Sequence, residues 1–134
     1  QRVAVARGLA TDPKVLLLDE PFRALDALTR SSIQKELSRI WLDQKKTMVM
    51  ITNDVDEAIL LADSIYPLTA APRATLGPRI AVEIARPRSH KNLSLDPGYQ
   101  RARKEIVDFL MGQKETRGGP AKVRPEIAEA AAMS

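Results

Sequence analysis

The stretch that most constrains this chain is Val15-Leu16-Leu17-Leu18-Asp19-Glu20-Pro21, four apolar residues running into two adjacent carboxylates and a proline. A short unbroken apolar run reads as a strand buried on both faces, as in a parallel sheet. Pro21 lacks a backbone N–H and ends the run. Asp19 and Glu20 then stand at the strand's carboxyl end, where open α/β sheets bind ligands. Successive side chains of a strand point to opposite faces, so the two acids need not share a task. One can hold a cation while the other takes a proton. On these residues alone, a strand ending in a polar loop explains the run equally well.

The pattern continues on both sides. Gln1 to Ala10 reads as the end of a helix, with Val3, Ala6 and Ala10 at helical spacing, and Thr11-Asp12-Pro13 breaks it. Ala27 to Asp43 is an amphipathic helix with Ile33, Leu37, Ile40 and Trp41 on one stripe. Gln44-Lys45-Lys46 is a turn, and Thr47 to Thr52 is a second apolar strand. Strand, crossover helix and strand predict a parallel, right-handed βαβ unit. Asn53 or Asp54 caps the next helix, Val55 to Ala62, with Asp56 and Glu57 as acids near its positive end. Ile65 to Thr69 reads as a short strand that Pro67 confines to a sheet edge, and Ile80 to Ile84 as another edge strand. Arg86 to Leu95 reads as a linker. Asp96-Pro97 opens a helix running to about Met111, because a capping acid precedes proline at the first helical position. There is no internal repeat.

Two strands apolar on both faces need more cover than these helices provide. Their missing neighbours are expected before Gln1, where the chain opens in mid-helix, as in the back part of a longer protein.

Composition narrows the chemistry. The 134 residues include no cysteine, which excludes disulfides and thiolate metal sites, and a single histidine, His90, read here as a solvated loop residue. The net charge of +4 is dispersed, and aromatics make up only 4%. That composition does not make a nucleic-acid stacking surface. No apolar run is long enough to span a bilayer, and no signal peptide is visible.

The order Asp19-Glu20, Ala24-Leu25-Asp26, Thr52-Asn53-Asp54 and Asp56-Glu57-Ala58 resembles the ATPase subunit of ATP-binding-cassette transporters. Leu16 to Glu20 looks like the Walker B strand and Ala24-Leu25-Asp26 like the D-loop. Asn53 stands where the switch histidine usually sits. Gln1-Arg2-Val3-Ala4 looks like the helix after the signature motif. The resemblance covers roughly Gln1 to Leu68. Pro21-Phe22-x-Ala24-Leu25-Asp26-Ala27-Leu28-Thr29-Arg30 is similar to the importer group for nitrate, sulfonate and taurine. Thr52 to Ala58, Pro67-Leu68-Thr69 and Ala74 to Pro78 look closest to its nitrate, nitrite and cyanate branch, in which Asn commonly replaces the switch histidine. Arg86-Pro87-Arg88 and Asp96-Pro97 also fit that branch's C-terminal extension.

The resemblance implies an α/β fold: the C-terminal part of a P-loop NTPase domain, with parallel strands and crossover helices, small edge strands and a C-terminal helix. Residues 1–69 would belong to the nucleotide-binding domain, 70–112 to a C-terminal extension and 113–134 to a disordered tail. ATP and Mg²⁺ are the implied ligands. Asp19 would hold Mg²⁺ through its water shell, and Glu20 would be the general base. Asn53 would sense the γ-phosphate through its amide, with helix capping as the competing role. Asp26 would sit at the seam with a second ATPase subunit. Asp56 and Glu57 receive no catalytic role, and Arg23 stands where the family usually has a small residue. Permease subunits are the further implied partners, with a substrate-binding protein engaged indirectly, at the cytoplasmic side of a bacterial plasma membrane. Neither the phosphate-cradling Gly-x-x-x-x-Gly-Lys-Ser/Thr nor the Leu-Ser-Gly-Gly signature occurs in these residues, so they are expected to be inactive alone. A non-transport ATPase of the superfamily, or a nucleotide-binding module with impaired hydrolysis, is the competing function.

Overall fold

A computed structural model describes Arg7 and residues 11–118, with side chains through residue 113. The rest of the helix read at Gln1 to Ala10, and residues 119–134 of the tail, lie outside the described residues.

β1 (Val15–Asp19) pairs in parallel with β2 (Thr47–Ile51), in register from Val15 opposite Thr47 to Asp19 opposite Ile51. Helix α1 (Ala27–Gln44) connects them, so the βαβ unit read from the apolar pattern is present. Asp26 starts α1 by accepting the N–H groups of Leu28 and Thr29 at 3.1 and 3.0 Å. Lys45 ends it in a left-handed conformation, φ 52°, its N–H donating to the Trp41 carbonyl. The αL residue lets the chain reverse into β2.

The sheet is covered on one face. Leu18, Met48 and Met50 pack with Phe22, Ile33 and Leu37 from the loop and α1. The opposite face shows Val15, Leu17, Val49 and Ile51 exposed, Leu17 at 73%. Among the described residues the strands are thus buried on one face only, the shortage of cover that their apolar runs predict. A single crossover helix has one apolar stripe and covers one side, and no other described element packs on the second.

Helix α2 (Val55–Leu61) begins at Asp54, which accepts the N–H groups of Asp56 and Glu57, both at 3.0 Å. Its carboxyl end is held by two arginines from the segment read as a linker. Arg86 donates to the Leu61 carbonyl at 2.6 Å and to Asp63 at 2.9 Å. The Arg88 side chain, 2% exposed, donates to the carbonyls of Ile59, Ala62, Val82 and Ile84. Cations at a helix carboxyl terminus satisfy its orphan carbonyls and oppose its negative pole. Burial, followed by repulsion from Arg86, lowers the Arg88 pKa from its ordinary value. Arg86 also stacks on Trp41, 4.2 Å from the ring centre, and Lys45 lies 4.3 Å from it. Residues 86–88 are thus a clamp.

β3 (Ser64–Ile65) and β4 (Ile80–Ala81) form a separate antiparallel pair. The two predicted edge strands shrink to two residues each. Pro67 lies beyond β3, and only a bridge between Leu68 and Leu76 extends the pairing. Gly77 donates to the Pro67 carbonyl at 2.7 Å. A Cβ there would come within 2.6 Å of Phe109 Cζ, so only glycine fits.

α3 (His90–Leu93) and α4 (Pro97–Gly118) complete the described chain. Asp96 accepts the Gly98 N–H at 2.7 Å, in keeping with the start signal. α4 runs past Gly112, where the sequence predicts its end, because one glycine costs a helix only about 1 kcal/mol. Ile80, Val82, Leu93, Ala102 and Ile106 share one core with Ile59 and Leu60 of α2. Tyr99 adds a 2.7 Å hydrogen bond from its hydroxyl to Asp56. The segment after Pro72 is therefore packed onto α2, an outcome the sequence leaves undecided.

Candidate functional site at the carboxyl ends of the parallel strands

Parallel pairing puts the ends of β1 and β2 side by side. The Glu20 N–H donates to the Ile51 carbonyl at 2.8 Å, so the ladder continues one residue past β1. Glu20 itself has φ 40°, in the left-handed region that a non-glycine residue rarely enters. Such a conformation costs of order 1–3 kcal/mol and clusters at functional sites. It breaks the strand's alternation, so the Glu20 side chain is re-aimed relative to Asp19. The turn is held by Arg23 N–H donating to Glu20 O at 3.2 Å and Leu25 N–H to Phe22 O at 3.1 Å, with Phe22 buried beneath it.

Arg23 Nη1 lies 3.3 Å from Glu20 Oε2, yet this buried oxygen has no hydrogen-bond partner among the described residues. The guanidinium is near but poorly aligned, and its own side chain is exposed, so the pair stabilises little. An under-partnered carboxylate oxygen is a site for a polar group such as water. The Asp19 side chain is exposed and likewise has no hydrogen-bond partner among the described residues.

The second loop follows β2. Thr52 Oγ1 accepts the Asp54 N–H at 3.1 Å and donates to Glu57 Oε2 at 2.5 Å. Asn53 sits between, exposed and without a partner among the described residues. The cap of α2 is Asp54, so the competing capping role of Asn53 is absent. Asp26 belongs to the adjoining loop, but its carboxylate is occupied at the start of α1. The Thr29 hydroxyl, then the Thr29 N–H, hold it below the usual carboxylate range. No contact joins Asp26 to Asp19, Glu20 or Asn53 among the described residues.

Two side chains given no part by the sequence reading occupy the interior beside this loop. Glu57, 5% exposed, accepts from Thr52 and from Gln34 Nε2 at 3.0 Å. Gln34, 2% exposed, meets His90 Nε2 at 2.9 Å; His90 is exposed, in keeping with a solvated residue, but it opens α3 rather than lying in a loop and has this partner. One signal was available: Gln34 shares the α1 stripe of Leu37 and Trp41, an unusual place for an amide.

No family model matches the chain. It is 51% identical over 117 residues, 87% of its length, to the bicarbonate transport ATP-binding protein CmpC of Synechococcus elongatus, of which it covers 18%. It is 49% identical over the same share to the nitrate import ATP-binding protein NrtC of that organism, again covering 18%. Against the nitrate import ATP-binding protein NrtD it is 47% identical over 110 residues, 82% of this chain and 40% of that protein. The chain belongs to the ATP-binding-cassette ATPase family. It spans less than half the length of these curated relatives.

In this member of the cassette family, the described residues hold no group of three or more His, Asp or Glu side chains able to bind a metal together. Asp19, exposed and with no side-chain hydrogen bond among the described residues, presents a carboxylate that a cation could share with water. A cavity of about 1080 Å³ opens beside β2, lined by Met50, Asn53, Leu61, Tyr66 and Leu110 among others. It is largely apolar, and neither Asp19 nor Glu20 lines it. No helix among the described residues is long and apolar enough to cross a membrane.

Proposed function

We propose that this chain carries the water-activating part of an ATP site in the energising subunit of an importer for a small inorganic anion. The observation that carries the reading is the convergence of Asp19, Glu20 and the Asn53 loop at the carboxyl ends of two paired parallel strands. The names of the relatives favour nitrate or bicarbonate as the anion. Glu20 takes a proton from the attacking water. Asp19 orients the water shell of Mg²⁺, which when bound neutralises charge on the phosphates. The Asn53 amide donates to an oxygen of the terminal phosphate. Asp26 starts α1 and faces a second ATPase subunit across the seam, and permease subunits complete the assembly.

Removing the gene for the full-length subunit and following labelled nitrate and bicarbonate uptake tests the assignment. Loss of one uptake, restored by the intact gene, is expected. Both uptakes at parental rates would remove the importer reading.

Asn53 gives a second expected result. Asn53→Ala in the full-length subunit should lower kcat by about 10²-fold, the usual cost of one donor to a charge that develops in the transition state. Asn53→His should keep most of the rate, since imidazole also donates. Steady-state ATPase measurements decide, and wild-type rates in both variants would end the sensing role.

A further inference from the structure

A helix start of this kind has a standard arrangement: the N-cap acid takes the N–H three residues on, and a Glu at that position reaches back to the cap's own N–H. Asp54 and Glu57 have the required spacing but depart from it. The Asp54 N–H goes to Thr52 Oγ1, and the Thr52 hydroxyl donates on to Glu57 Oε2. Thr52 is thereby inserted into the box, and the backbone of Asn53 is enclosed between two pinned residues. The other carboxylate oxygen turns inward to Gln34 of α1. A carboxylate accepts only, so the Gln34 atom facing it is the amide NH₂. Its carbonyl oxygen then faces His90, whose Nε2 must donate. Capping α2 requires neither Thr52 nor Gln34. Burying a carboxylate among neutral donors is costly, so this placement fixes geometry at the expense of solvation.

We infer that Glu57 is a positioning residue of the ATP site, holding the Thr52–Asp54 loop, and with it the Asn53 amide, against helix α1 through Gln34. The inference rests on the ATPase reading proposed above. α1 begins at Asp26, so the network joins the helices behind two loops of the site, and His90 brings the segment after Pro72 onto the same chain of hydrogen bonds.

The test uses the full-length subunit in its assembled transporter. Steady-state kcat and KM for ATP are measured for Glu57→Ala, Glu57→Gln, Asn53→Ala and the Glu57→Ala/Asn53→Ala double variant, with Glu20→Gln as reference. Glu57→Ala should lower kcat by about 10–100-fold, the scale of a small misplacement of a reacting contact, with KM little changed. Glu57→Gln should restore most of the rate, because its amide serves Thr52 and a turned-over Gln34. The double variant should be no more than about twofold slower than Asn53→Ala, since coupled residues are not additive. Thr52→Val cuts the same link from the other end at constant shape and replaces Glu57→Ala should that variant not fold. Wild-type kcat in Glu57→Ala or Asn53→Ala, equal loss in Glu57→Gln, or multiplying effects in the double variant would overturn the inference. If Glu20→Gln is inactive while any of these holds, only the role of Glu57 fails. If Glu20→Gln still hydrolyses ATP, the ATPase reading itself fails.

Discussion

Replacing Glu20 with Gln in the full-length subunit is expected to cut ATP turnover by about 10²–10⁴-fold, the range of a positioned general base, while ATP binding persists. Gln has the same shape but cannot take the proton of an attacking water. The substitution leaves the surroundings nearly unchanged. The Glu20 N–H still reaches Ile51, and the left-handed φ of 40° strains Gln about as much as Glu. What is lost is the ion pair to Arg23, whose side chain is 73% exposed, and exposed pairs contribute about 0–1 kcal/mol. The variant should therefore fold, bind ATP and stall. Equilibrium ATP binding measured beside steady-state hydrolysis separates these, and near-normal hydrolysis would refute the assignment of Glu20.

Arg88→Ala is expected to be the most damaging single change to the fold, at least about 3 kcal/mol. The guanidinium serves four carbonyls from two parts of the chain, Ile59 and Ala62 at the end of α2, and Val82 and Ile84 after β4. Truncation takes a donor from partly buried carbonyls, at up to about 1–3 kcal/mol each, and removes a cation from a helix carboxyl terminus. Arg88→Lys should recover only part of this, since a point charge cannot reproduce the planar fork. Thermal unfolding of the full-length subunit should show a midpoint lower by roughly 10 °C. A loss below about 1 kcal/mol would mean that solvent or neighbouring groups replace the clamp.

The elements that local pattern encodes are legible in the residues alone. The apolar run ending at Asp19, the stripe of Ile33 and Leu37, and the Asp-Pro start at Asp96 each depend on near neighbours, and each forms where its pattern places it. The position of Asp19, Glu20 and the Asn53 loop is legible for the same reason, because strand ends follow from strand limits. The predicted edge strands fare worse, since their pairing depends on a partner far along the chain.

Local pattern suffices to specify a parallel βαβ unit with two carboxylates at its rim, because periodicity and chain breakers act over a few residues. It took three-dimensional packing to make Asp54 the cap of α2 and leave Asn53 without a partner among the described residues, to close α2 with Arg86 and Arg88 from a supposed linker, and to bury Glu57 against Gln34. Hydrogen bonds between residues 23 to 29 positions apart leave no periodic trace in a sequence, so their partners emerge only when the chain is folded.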